Sequence, residues 1–166
     1  MAVSLISTGL SGEVANAGQP AFNVKINANN NTTGGNHNWP GSAGEAANNV
    51  NSTENYDIGS DAVLAEFTAP VTGKYFLNAQ LTLGGMTDNQ YYGFHGISTS
   101  NRGYTLNHSY DWYHWFHPGA AWVAHVNGSV LTDMDADDEA YQYCGIYGDG
   151  QVVDFELGYF MGGLVF

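Results

Sequence analysis

The sequence has few basic residues, and this scarcity limits the classes of partner. In a chain of 166 residues, three lysines and arginines stand against 16 aspartates and glutamates, for a formal net charge of −13. Such a charge repels phosphate backbones, so we expect no nucleic-acid binding. It also disfavours adsorption to anionic membranes, and it favours solubility and attraction for cations.

Cysteine, long apolar runs and a leader-like N-terminus are scarce or absent. Cys144 is the one cysteine of the chain. An intrachain disulfide is therefore excluded, and we expect a buried, inert thiol at this position. No run of 18 apolar residues occurs, so we expect no membrane insertion. Residues 1–10 have no basic region and do not resemble an ordinary signal peptide.

The residues that are abundant indicate one folded domain rich in turns. Apolar residues make up 43% of the chain, charged residues make up 11%, and 22 residues are glycine. This balance favours folding over disorder, and the length fits one domain. We predict that residues 1–19 are a linker or the end of a stalk and that residues 20–166 form the domain.

Short alternating segments predict an all-β fold. In residues 21–26, Phe22 and Val24 alternate with polar residues, and in residues 74–83, Tyr75 and Leu77 begin a run on one face. The other predicted strands are residues 62–68, 90–99, 104–106, 122–126, 130–134, 140–147 and two segments that end at Phe166, and residues 110–117 are predicted to be extended. Turns are predicted at residues 100–103 and at Asn127-Gly128, and residues 27–55 are predicted as a long loop or a loosely paired segment. This pattern indicates a sandwich or barrel.

Four motifs in order resemble the C1q and tumour-necrosis-factor superfamily. They are Pro-Ala-Phe-Asn-Val at residues 20–24, Phe-Thr-Ala-Pro-Val-Thr-Gly-Lys-Tyr-Phe at 67–76, the acidic segment 131–141 with Asp138, and Tyr-Phe-Met-Gly-Gly-Leu-Val at 159–165. The resemblance implies a ten-stranded antiparallel jelly-roll sandwich over residues 20–166 that assembles as a homotrimer. Independently, Gly162 and Gly163 suit the close approach of a neighbouring strand.

Residues 67–75 most resemble the C-terminal tip domains of phage tail fibres. That resemblance implies a receptor-binding protein on the virion tail fibre, outside the cell, that recognises a host-cell surface receptor, either a glycan or a protein. Two alternatives remain open. One is a structural module that trimerises or caps a fibre without binding a receptor, and the other is a lectin-like module at the bacterial cell surface.

The most unusual segment is the aromatic, histidine-rich stretch at residues 108–117. Sugar rings stack on exposed aromatic side chains while polar groups bind their hydroxyls, and this stretch supplies both. Our candidate ligand-binding residues are Arg102, Tyr104, Asp111, Trp112, Tyr113, His114 and Trp115. The same aromatic side chains also suit a core or a subunit interface. A metal on a trimer axis would take one histidine from each subunit.

The acidic stretch at residues 133–139 begins like a calcium-binding loop. Asp133, Asp135 and Asp137 alternate as such ligands do, but Asp138 and Cys144 occupy positions where an EF-hand has glycine and glutamate. An irregular calcium site and a solvated acidic turn remain the two interpretations. The sequence indicates no other cofactor.

Motifs for catalysis are absent from the sequence. The chain contains no Gly-x-Ser-x-Gly elbow, no phosphate-binding loop, no dinucleotide fingerprint and no cysteine pair for zinc. Its carboxylates fall in predicted turns, with no pattern that would hold two of them across a cleft. We therefore expect a binding protein and not an enzyme.

Overall fold

The structure is a computed structural model, and it describes residues 20–28, 30–33, 35–37, 50–58, 62–63, 66–86, 90–109, 122–148 and 152–165. These residues form twelve β-strands in two antiparallel sheets. In chain order the strands are β1 (Ala21–Ala28), β2 (Asn30–Thr33), β3 (Gly35–His37), β4 (Val50–Ile58), β5 (Ala62–Val63), β6 (Glu66–Thr68), β7 (Gly73–Met86), β8 (Gln90–Thr99), β9 (Gly103–Ser109), β10 (Trp122–Met134), β11 (Glu139–Gly148) and β12 (Val152–Leu164). The predicted stalk at residues 1–19 lies outside the described residues.

The order of strands in the sheets differs from their order in the chain. The first sheet runs β10-β7-β12-β1-β4, with β2 paired to β12, and the second runs β5-β6-β11-β8-β9, with β3 paired to β11. Each sheet therefore places a late strand between early ones, as the crossing connections of a jelly roll require. The resemblance implies ten strands, whereas the described residues form twelve, ten of which lie along these two orders.

The core lies between the two sheets and consists of alternate residues of both. In β7, Tyr75, Leu77, Ala79, Leu81 and Leu83 are all buried, which confirms the predicted face of this strand. The rings of Phe22 and Phe67 join the two sheets, since they stack with centroids 4.4 Å apart. Other buried apolar residues are Val24, Ala69, Ile97, Ala124, Val126, Met134, Ala140, Cys144, Ile146 and Phe160.

The prediction of a turn at Asn127-Gly128 is wrong. β10 continues through both residues, which pair with Gln80 and Ala79 of β7. The glycine serves a close contact here, since a Cβ at residue 128 would lie 2.7 Å from the Cβ of Leu106. Asn-Gly therefore marks the approach of β9 to β10 and not a reversal of the chain.

Three further boundaries differ from those predicted. Residues 62–68 form two paired strands instead of one, because Ala62 pairs with Phe67 and Val63 with Glu66. The predicted loop at residues 27–55 contains β2, β3 and most of β4, whose backbones pair with β12, β11 and β1. β12 is one strand with a register shift at residues 155–157, where two segments were expected.

Two backbone approaches explain the glycines near the C-terminus. A Cβ at Gly162 would lie 2.6 Å from the backbone oxygen of Phe76, and one at Gly163 would lie 3.0 Å from that of Pro20. β12 is flanked on both sides by β7 and β1, so a side chain here would collide with a neighbouring backbone. The expectation of a close strand approach is confirmed.

Candidate functional site

Five of the predicted ligand-binding residues lie outside the described residues: Asp111, Trp112, Tyr113, His114 and Trp115. The chain enters their segment from the end of β9, directly after His108 and Ser109. What the structure does describe is the protein surface from which this segment departs.

Arg102 and Tyr104 are described, and they lie in different settings. Arg102 is an exposed residue of the β8–β9 turn, where its backbone oxygen accepts a hydrogen bond from the amide of Thr99 at 2.8 Å. Tyr104 pairs across strands with buried Ile97 and is half-buried, and its hydroxyl forms a 2.7 Å hydrogen bond with Thr132 of the first sheet. Tyr104 thus helps to join the two sheets.

The acidic turn between β10 and β11 is fastened to two other turns at the same end of the sandwich. The Oδ2 atom of Asp138 accepts hydrogen bonds from the side chain of Asn101 at 2.5 Å and from the amide of Asp135 at 2.9 Å. The amide of Ala136 donates to the hydroxyl of Thr72 at 3.1 Å. We call these three connections, residues 69–72, 100–102 and 135–138, the turn cluster.

The three carboxylates proposed as calcium ligands lie at or beside the acidic turn between β10 and β11. Asp133 forms an ion pair and hydrogen bond with Lys74, which lowers the pKa of Asp133. Asp135 and Asp137 are exposed, and Asp137 has a φ of 71°. Within the described residues, no three His, Cys, Asp or Glu side chains are arranged to hold a metal ion. A cleft of about 370 Å³ opens here beside Lys74 and Asp133.

Four half-buried aromatic rings lie together on the outer side of the second sheet, and we call them the aromatic face: Tyr92, Phe94, Tyr143 and Tyr147. Tyr92 and Tyr147 are cross-strand partners on β8 and β11, with ring centroids 5.2 Å apart. Phe94 lies 5.9 Å from Tyr92 and 5.8 Å from Tyr143. Alternate residues of the same strands point into the core, so these four point outward.

Glycines opposite two of the rings allow them to lie close to the sheet. Phe94 is the cross-strand partner of Gly145, and Tyr143 is the partner of Gly96. A Cβ at Gly145 would lie 2.6 Å from a ring carbon of Phe94, and one at Gly96 would lie 2.6 Å from the hydroxyl of Tyr143. The backbone thus supports both rings, which restricts their motion without any side chain beneath them.

Polar groups of β9 border the aromatic face. The hydroxyl of Tyr92 and Nε2 of His108 are 3.2 Å apart, and their rings meet edge to face. The hydroxyl of Tyr143 forms a 3.2 Å hydrogen bond with Thr105. Both bonds are exposed. The surface therefore combines ring faces with hydrogen-bonding groups, which is the composition of a site for a polar, ring-shaped ligand.

Carboxylates continue the same side of the sheet beyond the aromatic face. Tyr141, two residues before Tyr143 on β11, is the cross-strand partner of Glu66, and Glu139 precedes it on the same side. Burial, and then the negative charge of Glu139, raise the pKa of Glu66. This end of the surface is therefore negative.

A buried polar cluster lies on the inner side of these strands. His95 and Gln142 are fully buried, and Nε2 of His95 lies 3.3 Å from Oε1 of Gln142. Nδ1 of His95 lies 3.3 Å from the amide nitrogen of Asn107, which donates to the backbone oxygen of Asn127 at 2.9 Å. Burial lowers the pKa of His95 from its ordinary 6.5 to about 4, against the smaller effect of the Gln142 hydrogen bond.

Cys144 behaves as the sequence predicts. It is buried in the core, and burial raises the pKa of its thiol to about 12. At neutral pH the thiol is protonated and inaccessible, so it is a poor nucleophile.

The outer side of the first sheet carries an exposed apolar pair. Phe76 of β7 and Leu131 of β10 are cross-strand partners, and they are 47% and 54% exposed. Such neighbouring apolar side chains on a sheet surface favour contact with another protein surface.

The aromatic face is the part of the candidate site that sequence reasoning missed. Its signal is present in the sequence, because Tyr92 and Phe94, and likewise Tyr143 and Tyr147, alternate with inward residues. The same alternation in β7 puts Tyr75 in the core, so the pattern alone does not say which side is which.

No protein-family model and no curated protein sequence matches the chain. Among 210 matching solved chains is the globular domain of the zebrafish complement 1qA protein, with a TM-score of 0.52 and 13% sequence identity. The match covers 89% of this chain and 98% of that one. The fold is C1q-like. The likeness, at this identity, shows the fold of the domain and leaves its ligand to be argued from its own surface.

The C1q-like fold supports the resemblance that the four sequence motifs indicate. In the described part of this C1q-like domain, no helix is long and apolar enough to cross a membrane.

Proposed function

We propose that this C1q-like domain binds a saccharide of a cell-surface receptor through the aromatic face and the adjoining segment with Trp112 and Trp115. The observation that carries the proposal is the arrangement of the aromatic face: four outward rings, two of them lying over glycines, with hydrogen-bonding groups at their border. Sugar rings place their C–H faces on such surfaces and direct their hydroxyls to the border. We propose no catalytic role.

The proposed setting is the tip of a phage tail fibre or a similar adhesin, outside the cell. The motif at residues 67–75 supports this setting by resemblance, and the C1q-like fold is compatible with it. We further propose a homotrimer. The exposed pair of Phe76 and Leu131 supports assembly, and three copies of a weak saccharide site would bind a cell surface with avidity.

The first test compares Tyr147→Ala with Tyr147→Phe. Tyr147 contacts the rings of Tyr92 and Phe94 and is not one of the rings over a glycine. Phenylalanine keeps a stacking surface and alanine removes it, so we expect about a tenfold loss of glycan-array or whole-cell binding for alanine only. This estimate corresponds to one stacking contact of about 1–1.5 kcal/mol.

Circular dichroism and sedimentation should show both variants folded and in the same oligomeric state as the parent. Equal binding by the two variants would contradict a role for the ring. Trp112→Ala and Trp115→Ala test the adjoining segment in the same assay, and unchanged binding by both would remove that segment from the site.

The alternative function is a structural module that trimerises or caps a fibre without binding a receptor, and the pair of Phe76 and Leu131 favours it. Under this alternative, Leu131→Ser dissociates the assembly while the isolated trimer binds neither glycans nor cells. Under the main proposal, Leu131→Ser lowers avidity and leaves the single-site affinity unchanged. Sedimentation together with monovalent saccharide titration separates the two.

A third setting, a lectin-like module of a bacterial surface protein, shares the site chemistry and differs in location. A protein receptor would replace the saccharide if binding to cells survives removal of their glycans. Gene neighbourhood decides between phage and bacterial settings, since adjacent tail genes would assign the chain to a fibre.

A further inference from the structure

We infer that the aromatic face selects uncharged saccharides and discriminates against acidic ones, such as sialylated, uronic or phosphorylated sugars. This inference rests on the proposed saccharide-binding function and specifies its ligand class. It follows from which charged groups surround the face and from where the few cations of the chain lie.

The charges beside the aromatic face are negative. Among outward side chains that the structure describes on the second sheet, those of Glu66 and Glu139 are the carboxylates, and no lysine or arginine is present. Burial, and then the negative charge of Glu139, raise the pKa of Glu66, so the two carboxylates lie within electrostatic reach of each other. An anionic ligand would add a third negative charge to this surface.

None of the three cations of the chain lies on a strand of the second sheet. Lys25 is in β1 of the first sheet, Lys74 is paired with Asp133, and Arg102 lies in the β8–β9 turn, near enough to Asp133 to lower the pKa of that carboxyl. Recognition of a carboxylate or phosphate normally uses such a cation. The aromatic face instead offers tyrosine hydroxyls, the imidazole of His108 and the hydroxyl of Thr105.

Strand geometry gives the range over which this repulsion acts. At about 3.3 Å per residue, Tyr141 lies about 7 Å along β11 from Tyr143, and Glu66 is the cross-strand partner of Tyr141. Glu66 thus lies about 9 Å from Tyr143, and Glu139, four residues from Tyr143 on β11, lies about 13 Å from it. Both distances exceed the screening length of about 8 Å at physiological ionic strength and are within that of about 20 Å in 20 mM salt. In water, carboxylates at about 9 and about 13 Å weaken binding of an anion by about fourfold without screening and by about twofold in 20 mM salt, and by less as more salt is added.

The test uses matched pairs of saccharides that differ by one acidic group. A glycan array of the full chain first identifies neutral saccharides that bind. Each is then titrated at pH 8, where histidine side chains are ordinarily uncharged, against its acidic counterpart, for example galactose against galacturonic acid. We expect the acidic member to bind about twofold more weakly in 20 mM salt, and the difference to disappear in 500 mM salt.

Charge variants show which groups cause the discrimination. Glu66→Gln together with Glu139→Gln should bring the ratio of neutral to acidic affinity close to one. Asp57→Asn, on β4 of the other sheet, also removes a negative charge and should leave the ratio unchanged. An unchanged ratio in the double variant would overturn the inference.

The outcomes keep this inference separate from the proposed function. Equal or tighter binding of acidic saccharides overturns the neutral selectivity and leaves saccharide binding standing. Binding of no saccharide at all, neutral or acidic, overturns both. Weaker binding of the acidic members, restored in part by salt, supports both.

Discussion

Replacing His95 with glutamine should flatten the pH dependence of folding stability between pH 4 and pH 7. When His95 is neutral with its proton on Nε2, Nε2 donates a hydrogen bond to Oε1 of Gln142, and Nδ1 accepts one from the side-chain amide of Asn107. If Nδ1 of His95 were protonated, it would be a donor facing the side-chain NH2 group of Asn107, which is also a donor. Cys144, the cross-strand partner of His95, has a thiol pKa raised to about 12 and supplies no negative charge. The folded state therefore disfavours the imidazolium.

The sign and size of the effect follow from the pKa of His95. Burial lowers it to about 4 in the folded protein, against an ordinary value of 6.5, so the unfolded chain takes up its proton first as the pH falls. The contribution of His95 to stability is complete above pH 6.5, declines between pH 6.5 and about 4, and is constant below that. The interval corresponds to about 3 kcal/mol at about 1.4 kcal/mol for each pH unit.

Urea unfolding between pH 4 and pH 7.5, at one protein concentration, measures this contribution. The parent should lose about 3 kcal/mol more than His95→Gln over this range. Carboxylates with shifted pKa values, such as Glu66, titrate in both proteins, and their effect cancels in the comparison. Parallel stability curves for the two proteins would refute the reasoning.

Three other predictions concern packing, the turn cluster and the thiol. Gly96→Ala should lower the free energy of unfolding by about 2 kcal/mol or more, because a Cβ there meets the backbone of β9. Gly103→Ala, with space at its Cβ, should change that free energy by less than about 0.5 kcal/mol. Asp138→Ala should lower the free energy of unfolding by about 2 kcal/mol, because it removes two hydrogen bonds. Asp137→Gly, at a φ of 71°, should leave the free energy of unfolding measurably unchanged in the same urea titration. Cys144 should react with a chromogenic disulfide reagent only in denaturant, and fast reaction of the native protein would contradict its burial.

Local alternation sufficed to predict the strands that have one apolar face. β7 was predictable because its apolar residues alternate, and Tyr75, Leu77 and Leu81 are buried side by side. The end of β8 was predictable from the turn at residues 100–103. β2 and β3 were not predicted, because they are strands only through backbone pairing with β12 and β11. Such pairing leaves no apolar period in the sequence.

Only one part of the candidate site could be predicted from the sequence. A run of aromatic residues at 110–117 attracts attention because its members are adjacent, whereas the aromatic face is assembled from two strands by register. Tyr92 and Tyr147 meet because β8 and β11 pair at that step. A shift of one residue would turn these rings into the core. The sequence near each ring does not contain that information.

The position of β12 has a consequence for how the domain is made. β12 lies between β7 and β1 in the first sheet, yet a ribosome synthesises it after both. Until then the first sheet has no central strand, and the edges of β1 and β7 are open to pairing with other chains. We expect the domain to complete its fold only once β12 has been synthesised and can pair with both neighbours. A net charge of −13 would hold nascent copies apart during this interval.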